Sequence, residues 1–355
     1  MTSSAAGIQR SRTVVAAVLA VLLVLTGCST QPLQVAGPSS SAAAPSIAPG
    51  PRTATVAADP VPVSPAPVPS LPVTVHSADG RDVTVRDASR IVALDRYGTY
   101  GTTVFALGLG SHLVGRDIAT DFPAASHIPD LTPDGSTANA EAIIALRPTV
   151  VLTDTTMPAA STLVTQLTAA GIPVVLGNPT RSVDSTDDTL RAVAKALGVP
   201  AAGDELVRRT DDQIAQARAM VPASITSGAH RRPRIAFLYA RGTGLLILGG
   251  RGSGADALIS LIGGVDAGTA AGLTDPFTSL TSEGLIKAAP DALLMMTGGL
   301  TSVGGVAGLL TVPGVAQTPA GRSRTVIDMA DGQLLSFGPR TGEVAIALAR
   351  ALYAR

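Results

Sequence analysis

The sequence contains few cysteine, histidine and aromatic residues, and the shortage of cysteine excludes two kinds of site. Its 355 residues include one cysteine, four histidines and no tryptophan, and aromatic residues make up 3%. One cysteine excludes an intramolecular disulfide and a cysteine-based metal site. Lys plus Arg and Asp plus Glu number 26 each, so the chain lacks the basic excess typical of nucleic-acid-binding proteins.

The first 28 residues have the pattern of an export signal. Arg10 and Arg12 precede an apolar run over 14–25, which is too short for a membrane-spanning helix. The run ends in Leu-Thr-Gly-Cys28, which resembles a lipobox. That resemblance implies a lipid on Cys28 and an exported chain anchored to the outer face of the cytoplasmic membrane. An ordinary secretory signal with a chance cysteine is the alternative.

The next segment, 29–71, consists mainly of proline, alanine and serine. Such a composition has too few large apolar side chains to form a core. We therefore expect a disordered, extended tether between the lipid anchor and the folded part.

From residue 72 onward the chain predicts two α/β lobes. Residues 73–85 read as a hairpin with a turn at Asp79-Gly80. Strand and helix patterns then alternate, which predicts a parallel sheet covered by helices. The predicted strands are at 90–95, 112–117, 149–154 and 172–177 in an N-terminal lobe over 72–181, and at 234–239, 245–249, 292–296 and 325–329 in a C-terminal lobe over 223–355.

The segment between the lobes, 182–222, has helical periodicity and no strand pattern. Gly198-Val199-Pro200 is expected to bend or interrupt it. The predicted fold class is therefore two Rossmann-like α/β lobes with mainly parallel sheets, joined by a long interlobe helix.

Each lobe contains one copy of a repeated segment. EAIIALRPTVVL begins at Glu141, and EGLIKAAPDALL begins at Glu283. In both, Pro lies seven residues after Glu, where it ends a short helix before a buried strand. A Glu in the first turn is favoured by the helix dipole by ~0.3–1 kcal/mol, so each Glu is also explained by local structure alone.

The lipobox, the two lobes and the repeated glutamates together resemble the substrate-binding lipoproteins of ABC importers. The resemblance covers nearly all of residues 73–355, and it is to the subclass with one rigid interlobe helix, which carries iron-siderophores, cobalamin and haem. It implies that Glu141 and Glu283 dock to arginines on a dimeric ABC permease, because complementary charge sets register and on-rate.

A bilobed α/β protein binds its ligand between the lobes, at loops after strand carboxyl ends. Tyr239 ends a predicted strand and Arg241 follows two residues later. A phenolate is a hard ligand for ferric iron, and a nearby cation helps an ordinary tyrosine, with a pKa near ~10, to ionise. The residues alone are equally compatible with a tyrosine at a strand end beside a surface arginine.

Two motifs are similar to those of actinobacterial haemin-binding lipoproteins, a narrower family. They are SHIPDLTPDGSTANAEAI, which contains His127, and Tyr-Ala-Arg-Gly at 239–242. The resemblance implies that His127 and Tyr239 are the axial iron ligands and that a hydrogen bond from Arg241 holds Tyr239 as phenolate. His76, His112 and His230 read as surface or turn histidines.

Further cleft residues are assigned more loosely. The candidates for apolar walls around a porphyrin are Met295, Phe277, Val265 and Leu300, and those for contacts with the propionates are Arg96, Tyr97 and Arg340. Core burial explains the apolar set equally well.

The expected function is that of a haem carrier with no catalytic activity. The chain would capture ferric haem b and deliver it to the permease; a ferric siderophore or cobalamin is the alternative cargo. A lipid-anchored hydrolase is the third reading, but the sequence has no G-x-S-x-G nucleophile motif. GGRGSGADAL, at 249–258, lacks the Lys-Ser/Thr of a phosphate-binding loop and reads as a turn into a helix.

Overall fold

The computed structural model describes residues 43–135 and 137–353. The signal pattern and Cys28 lie outside this range. Among the described residues, none of the helices combines the length and the apolar character needed to cross a membrane.

Thirteen strands and fourteen α-helices form the described part. The strands are β1 (Arg52–Thr53), β2 (Val73–His76), β3 (Asp82–Val85), β4 (Ile91–Leu94), β5 (Leu113–Arg116), β6 (Val150–Thr153), β7 (Val174–Leu176), β8 (Arg234–Arg241), β9 (Leu245–Gly249), β10 (Val265–Asp266), β11 (Phe277–Ser279), β12 (Ala292–Met296) and β13 (Val326–Met329). The helices are α1 (Thr99–Ala106), α2 (Ala140–Ala145), α3 (Ala160–Ala169), α4 (Val183–Ala196), α5 (Pro200–Ala219), α6 (Ala223–Thr226), α7 (Ala255–Leu261), α8 (Ala267–Ala270), α9 (Ser282–Ala288), α10 (Thr297–Ser302), α11 (Gly305–Leu309), α12 (Pro319–Ser323), α13 (Asp331–Leu334) and α14 (Thr341–Tyr353).

The N-terminal lobe is built on a parallel sheet in the order β5-β4-β6-β7. Every residue of β4 and β6 is buried, which explains why these strands are continuous apolar runs rather than alternating ones. The predicted hairpin forms from β2 and β3, with Gly80 in its turn at φ 85°. Asp95, Asp117 and Asp154 follow β4, β5 and β6, so three carboxylates meet at the carboxyl edge of this sheet.

The C-terminal lobe has a larger sheet, in the order β1-β13-β12-β8-β9-β11 with β10 beside β8. The neighbouring strands β1, β13, β12 and β8 run parallel to one another. Strand β9 pairs with β8 in antiparallel fashion, and β11 pairs with β9 in the same way. The two Rossmann-like lobes with mainly parallel sheets are thus confirmed.

The segment between the lobes contains two helices, α4 and α5, with the expected interruption between them. The chain breaks at Gly198, which has φ 72°, and α5 begins at Pro200. The first half of α5 packs Leu206 and Val207 into the N-terminal core, while Ile214 and Ala217 in its second half pack into the C-terminal core. The helix that joins the lobes is therefore α5, with 20 residues and a length of ~30 Å.

Residues 43–71, which we call the strap, differ from the expected disordered tether. The strap packs along both lobes: Ala54 donates to the Asp328 carbonyl (2.7 Å), and Val63 donates to the Ala106 carbonyl (2.9 Å). Nearer the hairpin, Ser70 donates to the Gly198 carbonyl (2.8 Å). An extended proline-rich chain makes no hydrogen bonds within itself, and here the lobes supply the partners. Composition cannot reveal hydrogen-bond partners so distant in sequence. The rest of the predicted tether, residues 29–42, lies outside the described residues.

Candidate functional site

A cavity of about 540 Å³ lies between the lobes. The N-terminal lobe lines it with Arg96, Tyr97, Ile118, Ala119, Asp121 and Gly135, and the C-terminal lobe with Phe237, Tyr239, Arg241, Ile247, Phe277, Met296, Asp331, Gly332, Leu335 and Ser336. Most of these residues lie at or beyond the carboxyl ends of strands, where ligands bind in open α/β sheets.

Strand β8 supplies the centre of the C-terminal wall. Phe237, Tyr239 and Arg241 alternate along the strand, so their side chains project to the same side. Phe237 is fully buried, Tyr239 is half-buried and Arg241 is exposed. The wall is therefore apolar at its buried end and charged at its exposed end. Ile247 of β9 lies opposite Tyr239 and continues the apolar surface.

Arg241 is held over the face of the Tyr239 ring. Its guanidinium carbon lies 4.7 Å from the ring centroid, and its Nη2 lies 3.2 Å from Oδ2 of Asp331. Asp331 also accepts a hydrogen bond from the Gly298 amide through Oδ1 (2.8 Å). The sequence led us to expect a hydrogen bond from Arg241 to the phenol oxygen, whereas the structure shows a stacked cation fixed by a carboxylate. Both arrangements bring positive charge to Tyr239.

The loop after β4 carries Arg96 and Tyr97 and is anchored by a buried carboxylate. Oδ2 of Asp95 accepts from the Tyr97 amide (3.2 Å), and Oδ1 accepts from the Tyr100 amide (3.2 Å). Arg181, just before α4, donates to Oδ2 of Asp95 (2.9 Å) and also pairs with Asp154. The loop is therefore tied both to the sheet and to the start of α4.

Burial changes the acidity of this cluster. Burial raises the pKa of Asp95, although Arg181 opposes the shift. Burial and the neighbouring charge of Asp95 raise the pKa of Asp117 to about 8. Burial also raises the pKa of Tyr97, which lines the cavity, so its hydroxyl stays protonated at neutral pH.

On β12, the residue that lines the cavity is one position beyond the predicted one. Met295 is fully buried in the core, and Met296 lines the cavity instead. Successive strand residues point to opposite faces, and sequence alone did not identify which face of β12 turns toward the cleft. Val265 and Leu300 also lie outside the cavity lining, whereas Phe277 lines it as predicted.

Arg340 is not at the cleft, which corrects its assignment as a propionate contact. It is 3% exposed, and its guanidinium donates to the carbonyls of Ala57 and Ala58 in the strap. Its Nε also lies 3.5 Å from Glu343. The sequence did not reveal this role because the partners are more than 280 residues away.

His127 lies on an exposed turn after the short 3₁₀ helix Pro123–Ala125, outside the cavity lining. Besides the expected Arg96 and Tyr97, the N-terminal wall includes residues that the sequence did not single out, among them Ile118 and Asp121. Their signal was available, since both closely follow the carboxyl end of β5.

Glu141 and Glu283 are exposed in the first turns of α2 and α9. The N-cap side chains are Asn139, which accepts from the Glu141 amide (2.8 Å), and Thr281, which accepts from the Gly284 amide (3.0 Å). Backbone capping is thus supplied by other residues, and both carboxylates remain accessible to a partner.

Comparison with known proteins agrees with this architecture. The family described as periplasmic binding protein matches residues 91–331. A curated relative, the uncharacterized ABC transporter substrate-binding lipoprotein YvrC of Bacillus subtilis, is 31% identical over 140 residues. That match spans 39% of this chain and 44% of YvrC.

Solved structures extend the similarity over most of the chain. The haem-binding protein HmuT is 38% identical, with a TM-score of 0.80 over 86% of this chain and 98% of HmuT. Periplasmic haem-binding protein RhuT from Roseiflexus sp. RS-1 is 36% identical, with a TM-score of 0.67 over 75% of this chain and 98% of RhuT. BhuT in complex with two haems is 32% identical, with a TM-score of 0.65 over 74% of this chain and 97% of BhuT.

HmuT has also been solved with one histidine, one tyrosine or one arginine replaced by alanine. The replaced tyrosine and arginine are two positions apart, as Tyr239 and Arg241 are here. The replaced histidine precedes that tyrosine by 99 positions, whereas His127 precedes Tyr239 by 112. With the family matched over residues 91–331 and the two-lobed fold shared with solved members, this chain belongs to the periplasmic binding protein family.

Proposed function

We propose that this chain is the haem-binding lipoprotein of a bacterial ABC importer, which captures ferric haem b between its lobes and delivers it to the permease. The observation that carries the proposal is the pairing of Tyr239 with Arg241 inside an interlobe cavity that also has apolar walls. Structural similarity to three haem-binding proteins supports the same cargo.

Tyr239 is the proposed iron ligand. Its phenol oxygen suits ferric iron once it is deprotonated, and the Arg241 cation lies over the face of its ring. Phe277 and Ile118, from opposite lobes, offer apolar surface to a flat porphyrin. Arg96 and Tyr97 at the cavity edge provide a cation and a hydroxyl for the propionates.

His127 as a second axial ligand is supported by the resemblance of its loop alone. Its exposed position means that ligation requires the loop after Pro123–Ala125 to turn toward the cleft. That loop is held in part by Asp59, which accepts from the Ala124 amide (2.7 Å). We therefore assign the main bond to Tyr239 and treat His127 as a hypothesis with its own experimental arm.

The test is the visible spectrum of the purified protein titrated with haemin. Wild type should give a stoichiometric Soret shift, and Tyr239→Phe should lower the affinity by at least tenfold. Arg322→Gln, at an exposed residue of α12 that is outside the cavity lining, is the control. Unchanged titration of Tyr239→Phe contradicts the assigned ligand, and no uptake by wild type contradicts the function.

The His127 arm uses the same spectra. If His127 is an axial ligand, His127→Ala converts a six-coordinate low-spin spectrum to a five-coordinate high-spin one. Identical spectra of the two proteins would remove His127 from the site.

A ferric siderophore or cobalamin remains the second cargo. The cleft offers two cations, Arg96 and Arg241, and Asp331 pairs with the latter. Anionic iron chelates require more positive charge, which makes this cargo the weaker candidate. Competition of each ligand against haemin in the same titration distinguishes them.

Delivery is proposed to depend on Glu141, Glu283 and a lipid on Cys28. The two exposed carboxylates would pair with arginines on the two halves of a dimeric permease, and the lipid would keep the protein at the membrane. In a haem-uptake assay, Glu141→Gln plus Glu283→Gln should reduce transport with haem binding intact. Unaltered uptake would make both residues helix ends only.

A further inference from the structure

Two exposed isoleucines occupy the same position in the repeated segment of each lobe. Ile144 of α2 is 38% exposed and Ile286 of α9 is 46% exposed. Their sequence neighbours Ile143 and Leu285 are fully buried. Each helix thus buries one large apolar residue in its lobe and leaves the next one in water.

The correspondence extends through the backbone on both sides of the isoleucines. Each helix has a capping side chain before it and the glutamate in its first turn. Each is followed within two residues by a left-handed residue that is not glycine, Arg147 at φ 48° or Ala289 at φ 44°, directly before a proline. The two isoleucines therefore occupy equivalent places in equivalent local structures.

The fold does not require these side chains. Single exposed apolar residues are common, but isoleucine is a poorer helix former than alanine and gains little when half its surface is in water. Each isoleucine follows its glutamate by three positions, which places charge and apolar surface side by side on one helix face. We name Glu141–Ile144 and Glu283–Ile286 the two half-sites.

We propose that the half-sites form one two-point docking surface, in which each isoleucine enters an apolar hollow beside the cation that its glutamate contacts. The partner is a membrane protein that presents this cation-and-hollow pair twice, on two like subunits, because a duplicated surface matches a duplicated acceptor. The inference rests on the proposed function, which supplies an ABC permease dimer as that partner.

The two kinds of side chain would contribute to different rate constants. Charges at an interface rim steer encounter and mainly change the association rate, whereas buried apolar contacts mainly change the dissociation rate. Glutamate variants should therefore slow association at low salt, and isoleucine variants should speed release. Loss of burial for one half-exposed isoleucine corresponds to about a five- to tenfold faster dissociation.

The experiment measures binding kinetics of the haem-loaded protein on a reconstituted haem ABC importer in lipid nanodiscs. Ile144→Ser and Ile286→Ser should each raise the dissociation rate about five- to tenfold, with multiplied effects in the double variant. Ile144→Leu plus Ile286→Leu keeps the apolar area and should release at the wild-type rate. Val68→Ser, at a strap residue that is 90% exposed, is the matched control and should change nothing.

The possible failures can be separated by the haem spectrum. If the Ser double variant binds haem normally and leaves the importer at the wild-type rate, the half-site proposal is wrong and the proposed function stands. If only one of the two isoleucines matters, the two-fold partner is wrong. If wild type binds haem but not the importer, both the docking surface and the transport role fail.

Discussion

At the residue scale, the central feature is a tyrosine whose ring is covered by an arginine that a carboxylate holds in place. Asp331 accepts both from Arg241 and from a backbone amide, so it fixes the guanidinium over Tyr239. An exposed arginine would otherwise sample many rotamers at an entropic cost of order 1–2 kcal/mol on ordering. The carboxylate therefore pre-orders the cation before any ligand arrives.

Replacing this cation should weaken haem binding. In Arg241→Ala the ring of Tyr239 loses the guanidinium stacked over it, so haemin should bind about tenfold more weakly. A haemin titration followed by visible absorption measures the affinity. Arg322→Gln, at an exposed residue outside the cavity lining, should bind haemin as wild type does. Unchanged affinity in Arg241→Ala would refute the role of Arg241.

The buried carboxyl of Asp117 predicts a pH-dependent stability. Its pKa is 3.8 as an ordinary side chain and about 8 in the folded protein. Between these values the folded state retains a proton that the unfolded chain has released, so the free energy of unfolding falls as the pH rises. Urea unfolding between pH 5 and pH 8 should show this fall, with the contribution fully present below about pH 4.

Two variants test that origin. Asp117→Asn cannot ionise and should flatten the decline, whereas Asp212→Asn, at an exposed position of α5, should leave it unchanged. A decline of the same steepness in Asp117→Asn would assign the effect to another group, with Asp95 as the next candidate because burial raises its pKa too.

At the element scale, the strap is a second link between the lobes besides α5, because it is continuous with the N-terminal lobe and hydrogen-bonded to the C-terminal one. Its β1 extends the C-terminal sheet, and its later residues bond to the N-terminal lobe. Between these two contacts, Arg340 binds the carbonyls of Ala57 and Ala58. Burial lowers the pKa of this arginine. Glu343 and the strap carbonyls offset part of the cost of burying its charge.

Arg340→Gln should loosen the middle of the strap. Two carbonyls would lose a buried partner, at a cost of ~1–3 kcal/mol, so the Val63 amide should exchange hydrogen at least tenfold faster. The Ala54 amide, which bonds to β13, should keep its protection and acts as an internal control. Arg218→Gln, on the exposed side of α5, is the external control. Unchanged exchange at Val63 would mean that the strap is held without Arg340.

At the scale of the whole molecule, one cavity is lined by both lobes, and one helix packs into both cores. A ligand in that cavity would contact residues that follow strands of both sheets. Ligand binding should therefore stabilise the lobes together rather than one alone.

Saturating haemin should raise the unfolding free energy by ~2.7 kcal/mol at one hundred times its dissociation constant. Hydrogen exchange at β4 and at β12 should slow in parallel, because opening either lobe would release the ligand. Tyr239→Phe at the same haemin concentration should show a smaller gain. Protection confined to β12 would show that haem is held by the C-terminal lobe alone.

Local order along the chain was determined by the sequence itself. The apolar patterns predicted the main strands of both sheets to within a few residues, because each pattern records which faces of its own element are buried, but they did not predict β11. The break at Gly198-Val199-Pro200 and the repeated Glu-to-Pro segments were also predicted, because glycine and proline interrupt a helix through their own backbone geometry. Tyr239 and Arg241 could be expected to lie together because both are at the end of one strand.

Only the tertiary structure decided which side chains face the cleft. Met296 rather than Met295 lines it, Arg340 turns to the strap, and His127 lies on an outer turn. These outcomes depend on how one lobe and the strap lie against the other elements, through partners up to 283 residues apart. Periodicity distinguishes the two faces of a strand, but contact between distant segments determines which face meets the ligand.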